Sequence, residues 1–309
     1  GAGGVAVGIH TTQFEIHDPE TGLLEPVLTL AGEEMDRADA GRDAPLVRIA
    51  GAIGETDQAV READLAARLG YHAVLLSLAA LAEADDATLI DHSRQVAEVM
   101  PVVGFYLQPT IGGRVLSYGF WRQFAEIENV VAIKVAPFNR YRSLDVVRAV
   151  AEAGRDDIAL YTGNDDHIVL DLVTRYRFIV DGQPVERRIV GGLLGHWAFW
   201  TKRAVELLGE CHAILDAGEG VPPEMMRRAG EVTDANAAVF DAANAFRGVI
   251  PGVHEVLRRQ GLLGGVCCLD GEACLSPGQA EEIDRVIAAY PHLTDDDFVA
   301  EHLDEWLSG

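Results

Sequence analysis

Short apolar runs alternate along this chain with longer amphipathic stretches. The runs lie at 5–9, 46–50, 73–78, 102–107, 130–135, 158–162 and 189–194 and are rich in Val, Ile and Leu. A short run without polar alternation reads as a strand buried on both faces, which is the habit of a parallel sheet. The stretches between them read as helices. One spans 56–69, begins after Glu55 and stops at Gly70; another spans 86–100 and stops at Pro101; a third spans 143–153 and stops at Gly154. The repeat is about 28 residues, close to one strand-plus-helix unit.

Seven such units are legible, and eight would close a (β/α)8 barrel. The chain opens on Gly1-Ala2-Gly3-Gly4 and runs at once into the first strand. The eighth unit is therefore expected upstream of Gly1, as a first βα unit missing from the numbered chain. An open doubly wound sheet would want a glycine-rich phosphate loop after its first strand, and Ile9-His10-Thr11-Thr12-Gln13-Phe14 is not one. Residues 176–188 interrupt the rhythm, and Asp181-Gly182 between two short β-like runs predicts a hairpin insertion. From 201 onward the pattern is helical, over 201–217, 222–245, 253–260 and 277–289, with an acidic surface helix within 293–309. The expected division is a barrel at 1–217 and a helical C-terminal extension at 218–309.

Composition narrows the function classes. The 309 residues carry a formal net charge of −24, which argues against nucleic-acid or anionic-membrane partners. No run of 18 or more apolar residues and no leader pattern is visible, so the expected setting is cytoplasmic. Cys211, Cys267, Cys268 and Cys274 form no CxxC pair and read as ordinary reduced thiols.

Of 25 basic residues only Lys134 and Lys202 are lysines. Lys134 lies inside the run Val130-Val131-Ala132-Ile133-Lys134-Val135. Burying an ammonium is costly, and an amine in an apolar site becomes the nucleophile that Schiff-base chemistry requires. The competing reading is a strand-end lysine that snorkels to solvent. In a barrel, catalytic groups sit at the C-terminal ends of strands. Those ends offer His10, Thr11 and Thr12; Tyr106, Gln108 and Pro109; Gly163, Asn164, Asp165, Asp166 and His167; and Leu194, His196 and Trp197.

Tyr-x-x-Pro at Tyr106 and Pro109, Ile133-Lys134, and Thr162-Gly163-Asn164-Asp165 follow one another in an order that resembles the dihydrodipicolinate synthase / N-acetylneuraminate lyase family. Thr11-Thr12 falls where that family has its paired hydroxyl residues, and Leu257 to Leu262 followed by Leu275-Ser276-Pro277 is similar to its C-terminal pattern. The resemblance implies a (β/α)8 class I aldolase with a helical extension, usually a homo-oligomer (dimer or tetramer), needing no cofactor or metal. It implies that Lys134 condenses with a 2-oxo acid such as pyruvate and that Tyr106 shuttles protons. Thr11 and Thr12 would bind the carboxylate, and His10, Asn164, Leu194 and His196 complete the expected substrate-binding set.

The chain departs from the family in several places. Gln13-Phe14 replaces Gly-Glu after the paired threonines. Ile111 stands where the synthases place a carboxylate-binding arginine, with Arg114 three positions on. The segment Leu76 to Leu81 lacks the synthases' relay tyrosine. A diverged lyase, hydratase-aldolase or sugar-acid dehydratase fits these losses better than a true synthase. Two rival functions stand beside it: a metal-dependent lyase or hydrolase using Asp165, Asp166 and His167, and a catalytically silent binder of 2-oxo acids.

Overall fold

The computed structural model describes residues 1–308. The chain is α/β, with a parallel sheet of seven strands followed by C-terminal helices. The described residues divide into two compact units: residues 2–163 with 174–191, and residues 164–173 with 192–308 and Gly1. The expected boundary at 217 falls inside the second unit.

In the first unit β1 (Gly4–Val7), β2 (Val47–Ala52), β3 (Ala73–Leu76), β4 (Val102–Leu107), β5 (Val130–Ala136) and β6 (Ala159–Thr162) pair in chain order, every pair parallel. The helices α1 (Leu24–Asp39), α2 (Thr56–Arg68), α3 (Asp86–Ala97), α4 (Tyr118–Phe124) and α5 (Arg140–Glu152) connect them. β3 and β4 are buried along their whole lengths, as expected for strands covered on both faces. α1 and α4 escape sequence reading. α1 buries only Leu28, Gly32 and Met35 and carries Pro26 in its first turn, where proline is tolerated. α4 is one aromatic knot, with Phe120, Trp121 and Phe124 fully buried and their rings 5.1–5.6 Å apart.

The expected hairpin is present as β7 (Arg175–Val180) and β8 (Gln183–Arg188), antiparallel and packed on α5. Its turn residues Asp181 and Gly182 both have positive φ, 49° and 78°, as a two-residue type I′ hairpin needs. β9 (Gly191–Gly192) ends the sheet order beside β6; only these two residues of the expected strand at 189–194 are extended in the ladder.

The second unit holds α6 (Ile168–Val173), α7 (Thr201–Ala217), α8 (Pro223–Val239), α9 (Val249–Arg259), α10 (Gln279–Ala289) and α11 (Asp296–Leu307). α8 is central, touching α6, α9 and α10. The expected helix at 222–245 stops early because Asp241, Ala245 and Phe246 adopt left-handed backbone. The Asp241 carboxylate accepts from Gly248 N at 3.0 Å and from the Ser276 hydroxyl at 2.6 Å, so the side chain rewards the break.

Candidate active site

The sheet register assembles the site. Phe105 on β4 pairs with Lys134 on β5, and Lys134 pairs with Tyr161 on β6. Register partners in a parallel sheet share a face, while neighbours along a strand face opposite ways. Phe105, Lys134 and Tyr161 therefore stand side by side on one face. Lys134 is 8% exposed, and its Nζ lies 4.4 Å from the centroid of the Phe105 ring, within cation–π range. A Cβ at Gly163 would lie 2.9 Å from Lys134 Cε and 2.7 Å from Ala136 Cβ. Only glycine leaves the lysine side chain its room there. A small cavity flanks Phe105, lined also by Ser77, Leu78, Leu107, Gly113 and Arg114.

The loop after β1 brings His10 into the field of this lysine. Burial first, and the positive charge of Lys134 second, lower the His10 pKa from 6.5 to about 4. His10 is thus uncharged at neutral pH and can accept or donate a hydrogen bond without bringing a second cation. The loop is tightly wound: His10 and Gln13 have φ of 38° and 64°, an uncommon region for residues with a Cβ. The Thr12 hydroxyl accepts from Gly8 N at 2.7 Å and Ile9 N at 2.9 Å, so it braces the turn. Thr11 sits half-buried in the same turn.

Tyr106 is not brought to Lys134. As the neighbour of Phe105 it faces the other side of the sheet, fully buried, 5.3 Å from the Trp121 ring. Its hydroxyl donates to Leu116 O at 3.0 Å and accepts from Leu116 N at 3.2 Å, and burial raises its pKa. Arg114 is likewise committed: its guanidinium donates to the carbonyls of Leu81 and, at 2.8 Å, Ala84.

Asn164, Leu194 and His196 belong to the helical unit. Asn164 Nδ2 donates to Asp171 Oδ2 at 2.9 Å. Leu194 precedes the 3-10 turn that carries His196. Asn236 Nδ2 donates to Asp165 O at 2.9 Å, which orients its amide, so His196 Nδ1 donates to Asn236 Oδ1 at 2.7 Å. The Asp165 carboxylate accepts from His196 N at 3.2 Å. Among the described residues no group of three or more His, Cys, Asp or Glu is placed to hold a metal ion.

Burial lowers the His196 pKa to about 4, against a smaller opposing effect of Asn236. The unfolded chain takes up this proton below about pH 6.5, whereas the folded chain resists until about pH 4. The contribution is complete above 6.5 and disappears as pH falls through that window, amounting to about 3 kcal/mol. Urea midpoints at pH 7.5 and 4.5 should therefore diverge, and His196→Leu should narrow the divergence. An unchanged divergence in the variant would refute the assignment.

A model of the Dihydrodipicolinate synthetase family matches residues 34–174, from within α1 to the end of α6. Over that stretch, a little under half of the chain, the sequence is similar to the dihydrodipicolinate synthetase family. A search of curated proteins found no match. Solved structures of the family carry the same fold at low identity. Dihydrodipicolinate synthase from Oceanobacillus iheyensis is 17% identical with a TM-score of 0.70, over 94% of this chain and 85% of that one. The chloride-inhibited synthase from Acinetobacter baumannii, complexed with pyruvate, is 19% identical with a TM-score of 0.69, over 93% and 87%. The prophage protein YagE from E. coli K12, a member of the dihydrodipicolinic acid synthase family also in complex with pyruvate, is 16% identical with a TM-score of 0.68, over 95% and 87%. Among the described residues no helix is long and apolar enough to cross a membrane.

Sequence reading passed over Phe105 and Tyr161, which share a sheet face with Lys134. Their signal was positional. Each is the residue opposite Lys134 on a flanking strand, and only the register discloses that.

Proposed function

We propose that this chain is a class I aldolase-type lyase that forms a Schiff base between Lys134 and a 2-oxo acid. The observation that carries the reading is the buried Lys134, set against the Phe105 ring on a sheet face that also holds Tyr161. The family match supports the reaction class, and the pyruvate bound by two structural relatives supports the substrate class. In this reading the Lys134 amine attacks the substrate's C2 carbonyl, and the iminium becomes an electron sink for carbon–carbon or carbon–oxygen cleavage. Neutral His10 accepts or donates a hydrogen bond to substrate, and Thr11 with the backbone of its turn holds the carboxylate. The commitment of Arg114 to Leu81 and Ala84 fits a second substrate without a second carboxylate. Oligomers of identical chains, as the resemblance implies, belong to the same reading.

The test is borohydride reduction in the presence of pyruvate, read by intact mass and peptide mapping. A reduced adduct on Lys134 is expected. No adduct on folded protein, with pyruvate or with other 2-oxo acids, would sink the reading. Thermal stabilisation by pyruvate without adduct would point to the silent binder instead.

A further inference from the structure

Imine formation needs an acid as well as an amine, because the carbonyl oxygen must leave as water. The tyrosine of the Tyr-x-x-Pro motif is badly placed for that work. Tyr106 lies on the opposite face of the sheet from Lys134, with its hydroxyl tied both ways to Leu116. The chain has seven tyrosines. The hydroxyls of Tyr71, Tyr118 and Tyr290 are committed to Leu28 O, Glu152 and Asp234. Tyr141 is 84% exposed, and Tyr176 lies on the hairpin strand β7.

Tyr161 differs from all of these. It is the register partner of Lys134 on the adjacent strand, so the two Cα atoms are separated by about one inter-strand spacing, roughly 4.8 Å, with side chains on the same face. A Cβ at Gly191 would lie 3.0 Å from its ring, so the missing side chain there gives the phenol its place. The residue is half-buried, and among the described residues its hydroxyl has no hydrogen-bond partner. A phenol beside a buried amine, neither walled off nor committed elsewhere, is equipped to hand over a proton.

We propose that Tyr161 is the catalytic acid that serves Lys134, in the place the motif would give to Tyr106; the assignment rests on the Schiff-base reading above. As the Lys134 nitrogen bonds to C2, the carbonyl π pair moves to oxygen, which takes the Tyr161 proton. The new ammonium returns a proton to the phenolate, leaving a neutral carbinolamine and a neutral tyrosine. The phenol then protonates the carbinolamine hydroxyl. The C–O bond breaks, the nitrogen lone pair forms C=N, and water departs. An iminium and a phenolate remain, and the phenolate is placed to accept a proton from the substrate in the next step.

The rate of borohydride-trapped adduct formation with pyruvate tests this across wild type, Tyr161→Phe, Tyr106→Phe and Tyr141→Phe, with circular dichroism melts to confirm folding. Tyr161→Phe should slow adduct formation by roughly 10²-fold or more, the scale of a lost general acid. The same Lys134 peptide should still be labelled in the end, and Tyr141→Phe should match wild type. Wild-type speed in Tyr161→Phe overturns the assignment alone, as does a hundredfold loss confined to Tyr106→Phe. Absence of adduct in wild type overturns the Lys134 reading and this assignment with it.

Discussion

Lys134→Ala will yield a folded protein that forms no reducible adduct with pyruvate and, on the proposed Schiff-base reading, turns over a 2-oxo acid on the order of 10⁴-fold or more slowly, the scale on which loss of a covalent nucleophile acts. Lys134→Arg should be as inactive, since a guanidinium keeps the charge but cannot become a nucleophile at accessible pH. The chain makes this experiment clean. Its only other lysine is Lys202, on α7 in an ion pair with Glu206 at 3.0 Å. Peptide mapping has two possible sites to separate, and Lys202→Arg serves as the control. Retained trapping in Lys134→Ala would remove the nucleophile from this strand.

The second large effect concerns stability. Glu62 on α2 is a buried carboxylate held by two donors, with the His17 ring beside it. Ile53 N donates to Oε2 at 2.8 Å, Gln58 Nε2 donates to Oε1 at 2.8 Å, and His17 Nδ1 lies 3.0 Å from Oε2. His17 is also buried, and its Nε2 donates to Gly8 O at 2.6 Å. This chain of contacts runs from α2 to the residue where the His10 loop begins. A Cβ at Gly51 would lie 1.9 Å from the same Gly8 carbonyl, so the loop crosses β2 at a point where only glycine fits. Glu62→Ala removes one partner of a buried polar pair and leaves the others unsatisfied, which costs about 3–5 kcal/mol. Denaturant melts of Glu62→Ala, His17→Ala and the double variant should show strong coupling, the double variant losing much less than the sum. A loss under about 1 kcal/mol in Glu62→Ala would contradict the buried-pair account. Surviving Glu62→Ala protein should also trap pyruvate more slowly, because the turn carrying His10 and Thr11 loses its anchor.

Much of the scaffold was legible because its causes are local. Fully buried parallel strands are written as apolar runs without polar alternation, and β3 and β4 need no other cue. The Asp181-Gly182 turn is a matter of two residues' φ angles, and it formed where the dipeptide stood. The elements missed were those whose reward lies elsewhere in the chain. α4 exists because Phe120, Trp121 and Phe124 cover β4. The break after α8 exists because Asp241 finds Gly248 and Ser276. α6, at 168–173, coheres with the later helices α7 and α8, a pairing that no local pattern announces.

The same division holds in the candidate site. The sequence by itself determined the seven-strand rhythm, the one lysine within an apolar strand and the hydroxyl-rich turn after β1, because residue type and periodicity along the chain carry that information. Only the tertiary structure decided which side chains meet. A strand's alternation has two phases, and nothing in Phe105-Tyr106 says which of the pair faces the lysine. Pairing with β5 gives that place to Phe105, turns Tyr106 toward Trp121, and sets Tyr161 beside Lys134, because register between strands is fixed by packing across the whole sheet rather than by either strand alone.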